Sequence, residues 1–85
     1  VGEIFIFKNK NTDGTLNICG QKISALRKQA GLSQRALADQ LQLDGMDLNK
    51  NAIQQIESGQ RFVTDIELRA IAKYFKITVD RLLDE

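Results

Sequence analysis

Eighty-five residues, 42% of them hydrophobic and none of them proline, make one small domain near the lower size for an independent core. The net charge of +1 is low for a nucleic-acid binder, so any such role must rest on where particular side chains lie. Histidine is absent and Cys19 is the single cysteine, which excludes an intrachain disulfide, a zinc cluster and the commonest general base.

No apolar run approaches the ~18 residues that span a bilayer, and no signal-peptide pattern opens the chain. A lone reduced cysteine points to a cytoplasmic setting. The start at Val1 rather than Met fits a fragment or a processed form. Helix-forming residues dominate after Asn17, so the expected fold is all-α from there on.

Glu3 to Lys8, EIFIFK, is β-branched and aromatic and reads as a strand. Asn9 to Gly14 is a turn cluster ending in Asp-Gly, and Thr15 to Ile18 is long enough to return as a second short strand. A lone hairpin is marginal in water. Its options are to lie on the helical body as a flap, to serve as an edge strand between two copies, or to stay disordered. The chain thus divides into an N-terminal extension, residues 1–18, and a helical domain, residues 19–85.

The first helix is expected from about Cys19 to Ala30, with Cys19, Ile23, Leu26 and Ala30 as its apolar stripe and Gly31 just past its end. Cys19 is read as a small core residue. A local device then repeats. Ser33, Asn49, Thr64 and Thr78 are each preceded by a hydrophobic residue (Leu32, Leu48, Val63, Ile77) and followed at the fourth helical position by another (Leu37, Ile53, Leu68, Leu82). Each is a capping side chain inside a hydrophobic staple. Thr64 with Glu67 adds a capping box. Four more helices therefore start after these residues. Their inward residues are Leu37, Ala38 and Leu41 in the second, and Ala52, Ile53 and Ile56 in the third. They are Leu68, Ile71, Ala72 and Phe75 in the fourth, which ends near Lys76. In the fifth, which ends near Asp84, they are Val79, Leu82 and Leu83.

The third helix, Lys50 to Ser58, carries the chemistry. With Ile53 and Ile56 inward, Lys50, Asn51, Gln54, Gln55 and Ser58 share the other side. Asn and Gln bond adenine bidentately, and Lys reaches guanine acceptors. Residues near the helix start approach bases most closely, which favours Asn49, Lys50, Asn51, Gln54 and Gln55. The bland alternative is a solvated polar face. Gln34, at the first position of the second helix, suits a phosphate oxygen, with Arg35, Lys28 and Arg61 as further phosphate candidates. Their alternative is ordinary surface polarity. Arg27 and Glu57 each lie beside an apolar stripe, and if the first and third helices pack they meet as a structural ion pair.

The ordered set Lys22-Ile23, Leu26-Arg27, Gly31-Leu32-Ser33-Gln34, Leu37-Ala38, Leu41, Ile53, Ile56-Glu57, Gly59, Leu68, Ile71-Ala72, Phe75, Ile77, Val79 and Leu82-Leu83 resembles the lambda-repressor-like, Cro-type (xenobiotic-response-element) helix-turn-helix family. The resemblance covers residues 22–83. It implies a five-helix DNA-binding domain of phage or bacterial transcriptional regulators, often dimeric. By it, Gln34 takes the phosphate-contacting position, Lys50, Asn51 and Gln55 the base-facing positions, and Arg27 and Glu57 the interhelical ion pair. Two features depart from the pattern. Seven residues, QLDGMDL, separate Leu41 from Asn49, where the family has a turn of about three or four. Either the second helix runs on through Leu43 and stops at Gly45, or the turn bulges. In both cases Leu43, Met46 and Leu48 are expected to pack. The other departure is the N-terminal EIFIF.

The functional expectation is a sequence-specific regulator, a repressor, bound as a homodimer to double-stranded operator DNA. The alternative is a protein-interaction module or antitoxin that keeps the fold. An enzyme is disfavoured, because no nucleophile lies beside a base and no phosphate loop is present. No cofactor, metal or small-molecule substrate is expected. Asp44 and Asp47 flank Gly45 but lack calcium-loop spacing.

Overall fold

The computed structural model of the chain describes residues 10–83. Five helices follow in order among the described residues: α1 (Gly20–Gln29), α2 (Gln34–Leu43), α3 (Lys50–Glu57), α4 (Asp65–Phe75) and α5 (Val79–Leu83). Helix α3 packs against both α1 and α2, while α4 packs on α5 and touches α2.

The helix starts follow from their caps. The Ser33 side chain accepts from the Ala36 N–H at 3.0 Å, and Asn49 accepts from the Ala52 N–H at 2.8 Å. Thr64 and Glu67 form the reciprocal capping box. Thr78 accepts from the Arg81 N–H at 3.2 Å. Each such cap is worth ~1 kcal/mol. Helix α1 is built differently. Cys19 stands at its N-cap without a capping bond from its side chain, and Asn17 Oδ1 accepts the Gly20 N–H at 2.8 Å instead.

One core joins the helices. Cys19, Ile23, Leu37, Ala38, Leu41, Leu48, Ile53, Ile56, Ile71, Ala72 and Leu82 are its buried residues, with Leu26, Ala52, Leu68, Phe75 and Val79 partly buried against it. Both isoleucines of α3 are shut off from solvent, so its rotation about its own axis is fixed.

Several expectations need correction. Thr15 to Ile18 forms no strand. The Leu16 N–H donates to the Gly59 carbonyl, and the Asn17 amide reaches the Ile56 and Arg61 carbonyls, so this stretch bonds to the turn after α3 rather than to a neighbouring strand. The Glu3 to Lys8 strand lies outside the described residues. Ala30 is exposed, because α1 ends at Gln29 and Ala30 is its C-cap. Leu43 is 80% exposed. Helix α2 does run on to Leu43, but two residues past Leu41 is about 200° around a helix, which turns Leu43 away from the core. Gly45, at φ 88°, then reverses the chain where a side chain would be strained, and Leu48 alone of the three apolar turn residues is fully buried. Leu83 is 38% exposed, one residue round from the buried Leu82.

Candidate nucleic-acid interface

Two helices define the surface. Helix α2 begins with Gln34, and α3 packs against it. The extended turn between them is held at two points. The Met46 N–H donates to the Leu41 carbonyl at 3.0 Å, and Gln42 Nε2 donates to the Leu48 carbonyl at 2.9 Å. Leu48 seals the turn from beneath, and Asn49 follows as the cap of α3. The long insertion is therefore a packed, bonded corner.

With Ile53 and Ile56 buried, Lys50, Asn51, Gln54, Gln55 and Ser58 are all exposed. The side chains of Lys50, Asn51, Gln54 and Gln55 make no hydrogen bond or ion pair among the described residues. Three amides and one ammonium thus stand on a rigid rod with their bonding capacity unspent. Asn49 is exposed but its oxygen is committed to the Ala52 N–H, leaving its amide as donor. The Ser58 hydroxyl donates back to the Gln55 carbonyl.

On the inner edge of α3, Glu57 gathers a polar cluster. Arg27 Nε lies 2.6 Å from Glu57 Oε2, and Arg27 Nη2 donates to Oε1 at 3.1 Å. The same guanidinium donates through Nη1 to the Leu32 carbonyl at 2.7 Å. Gln34 Nε2 completes the set, donating to Glu57 Oε1 at 3.0 Å. The fork-to-fork geometry ties α1, the loop before α2 and α3 together. Burial pushes the Glu57 carboxyl up, but hydrogen bonds from Arg27 and Gln34 and the Arg27 charge outweigh it and hold it below its ordinary range. Hydrogen bonding to Glu57 in turn raises Arg27.

Gln34 therefore has a fixed side chain. One amide N–H is bound to Glu57 and the other remains available beside the first-turn N–H groups of α2. Arg35 and Lys28 are exposed. Arg61 is anchored: it lies 3.2 Å from Glu67 and donates to the Phe62 carbonyl, with the side chain 31% exposed. It is thus a weaker phosphate grip than a free arginine. The structure brings Gln34, Arg27 and Glu57 into one cluster and Lys50, Asn51, Gln54 and Gln55 onto one face. Arg61 belongs with the start of α4.

The residues matched by a known family are now in view. The family described as a helix-turn-helix domain matches residues 20–85. The chain belongs to the helix-turn-helix domain family. It is 35% identical over 63 residues to the HTH-type transcriptional activator BcrR of Enterococcus faecalis, a stretch covering 74% of this chain and 28% of that protein. The chain thus spans less than a third of that relative's length. No solved structure matches the chain. No helix among the described residues is long and apolar enough to cross a membrane, and no metal-binding cluster occurs among them.

Two residues that hold α3 in place were not evident from the sequence. Gln42 carries no periodic signal. Asn17 sits in a stretch that reads as a strand. The one available hint for Asn17 is its place three residues before a helix start, where Asn side chains bond backbone N–H groups.

Proposed function

We propose that this domain is a sequence-specific DNA-binding transcription regulator whose α3 enters the major groove. The observation that carries the reading is the unspent amide row, Asn51, Gln54 and Gln55 with Lys50, on a helix fixed by two buried isoleucines. Asn and Gln have the bidentate geometry for adenine, and the helix start is where base contacts fall. Gln34 and the first-turn N–H groups of α2 suit a backbone phosphate, with Arg35, Lys28 and Asn49 near enough in sequence to the two helix starts to assist. This surface belongs to residues 19–85, with 1–18 as an extension to it.

Occupying an operator is enough to block a polymerase, so repression is the expected output. The Enterococcus faecalis relative is named an activator. A promoter–reporter assay decides the sign. Binding as a two-fold dimer doubles the reading surface and fixes the half-site spacing. Exposed apolar side chains suited to such a contact are Ile18, Phe62, Ile66 and Leu83, none of them on α3.

The test uses DNA selected from a random pool. Affinity should fall steeply with salt, with a log–log slope of about −0.9 per phosphate neutralised. Asn51→Ala should cost about 1–3 kcal/mol on the selected site and little on random DNA. Gln34→Ala should weaken both alike. A flat salt dependence, with no sequence enriched, would turn attention to a second reading. The low net charge and the exposed Ile18, Phe62, Ile66 and Leu83 favour a protein-interaction module or antitoxin on the same fold.

A further inference from the structure

We propose that Asn17 is a positioning residue for the recognition helix and sets the angle at which α3 is presented to DNA. The inference rests on the DNA-binding reading above and assigns part of its specificity to a side chain outside the family-matched residues 20–85.

Asn17 uses both ends of one carboxamide. Its Nδ2 donates to the Arg61 carbonyl at 2.8 Å and to the Ile56 carbonyl at 3.1 Å. Its Oδ1 accepts the Gly20 N–H at 2.8 Å. One side chain thus joins the start of α1, the end of α3 and the turn that leaves α3. The Leu16 N–H adds a backbone bond to the Gly59 carbonyl at 2.8 Å. The last carbonyls of a helix have no intrahelical donors, and the half-buried Asn17 amide supplies one to Ile56 beside the Gly59 N–H at 3.1 Å.

Close approach at this corner amplifies the effect. The Gly20 backbone lies so near α3 that a Cβ there would stand 2.2 Å from the Ile56 carbonyl oxygen. The positive end of α1 faces the negative end of α3, which favours the contact. At its other end α3 is held by Gln42 on the Leu48 carbonyl. The isoleucines fix the roll of α3, and these two amides fix its ends. Releasing the Asn17 end lets α3 tilt about Gln42, and the tilt moves Gln54 and Gln55 more than Lys50.

Asn17→Asp separates the two jobs, because it keeps the acceptor for Gly20 and removes the donor to α3. Each protein is compared at a temperature where circular dichroism shows it folded. Asn17→Asp should lose about tenfold in affinity for the selected operator, the discrimination of one good base contact. Its affinity for random DNA and its salt slope should stay within about twofold of wild type, because the phosphate contacts remain. Amide shifts should move from Ile56 to Arg61. Ile71→Val, a destabilising core change in α4, should leave the operator-to-random ratio alone. An unchanged ratio in folded Asn17→Asp would overturn the proposal.

If that variant does not fold, the wild type still decides. The Asn17 carboxamide protons, held by the Ile56 and Arg61 carbonyls, should be protected from exchange. Exchange at solvent rates overturns the proposal as well. A wild type that prefers no DNA sequence would instead sink the DNA-binding reading. The exchange measurement would then still report on the clamp itself.

Discussion

Arg27→Ala should cost about 3–5 kcal/mol of folding stability, measured by urea denaturation. Both members of the pair are nearly buried, with side-chain exposures of 11% for Arg27 and 8% for Glu57. Deleting the guanidinium leaves a carboxylate inside the domain with only the neutral Gln34 and Ser24 side chains beside it, and frees the Leu32 carbonyl. Small domains carry ~5–15 kcal/mol in all, so the loss is a large fraction of the total. The cost is that of an abandoned charge, not the net worth of the bridge. Arg27→Met combined with Glu57→Leu should therefore recover much of it. Additive losses in that double variant would contradict the account.

The pair also sets an acid limit. Glu57 titrates below its ordinary value of 4.5 in the folded state, so its stabilisation is complete above that value. It is lost as pH falls through the lower folded value, where the native carboxylate takes up its proton. Wild type should become less stable on acidification below about 4.5. Glu57→Gln should show a shallower decline over the same window.

Gly20→Ala should destabilise by about 1–3 kcal/mol, the usual range for overpacking. Helix propensity argues the other way, since Ala in a helix interior gains about 0.5–1 kcal/mol over Gly. Geometry decides the sign. The added Cβ would lie 2.2 Å from the Ile56 carbonyl oxygen, 3.0 Å from Asn17 Oδ1 and 3.1 Å from the Glu57 carbonyl oxygen. The two carbonyls are backbone of α3, and neither has a rotamer to escape into. Relief requires α1 and α3 to part, which pulls Glu57 from Arg27. Thermal denaturation showing a neutral or more stable Gly20→Ala would contradict this packing.

The sequence was most informative where one residue's chemistry sufficed. Ser33, Asn49, Thr64 and Thr78 bond the first-turn N–H groups of their own helices, so their neighbours along the chain predict the helix starts. Isoleucine spacing oriented α3 for the same reason. What failed depended on partners distant in the chain. Thr15 to Ile18 has strand-like side chains, yet its backbone and Asn17 are claimed by residues some forty positions later. Leu43 continues an apolar pattern but falls on the wrong side of a helix that simply ran on. Arg61 looks free in the sequence and is held by Glu67, which the capping box had already engaged. On the candidate interface, Lys50, Asn51, Gln54 and Gln55 were legible as one face, whereas the tie from Gln34 to Glu57 was not.

The most direct measurement is nuclear magnetic resonance of the domain titrated with its selected DNA. The side-chain amides of Asn51, Gln54 and Gln55 and the backbone of Lys50 should shift most, with Gln34 next. Shifts confined to α4 and α5, with those three carboxamides unmoved, would show that this flank does not touch bases.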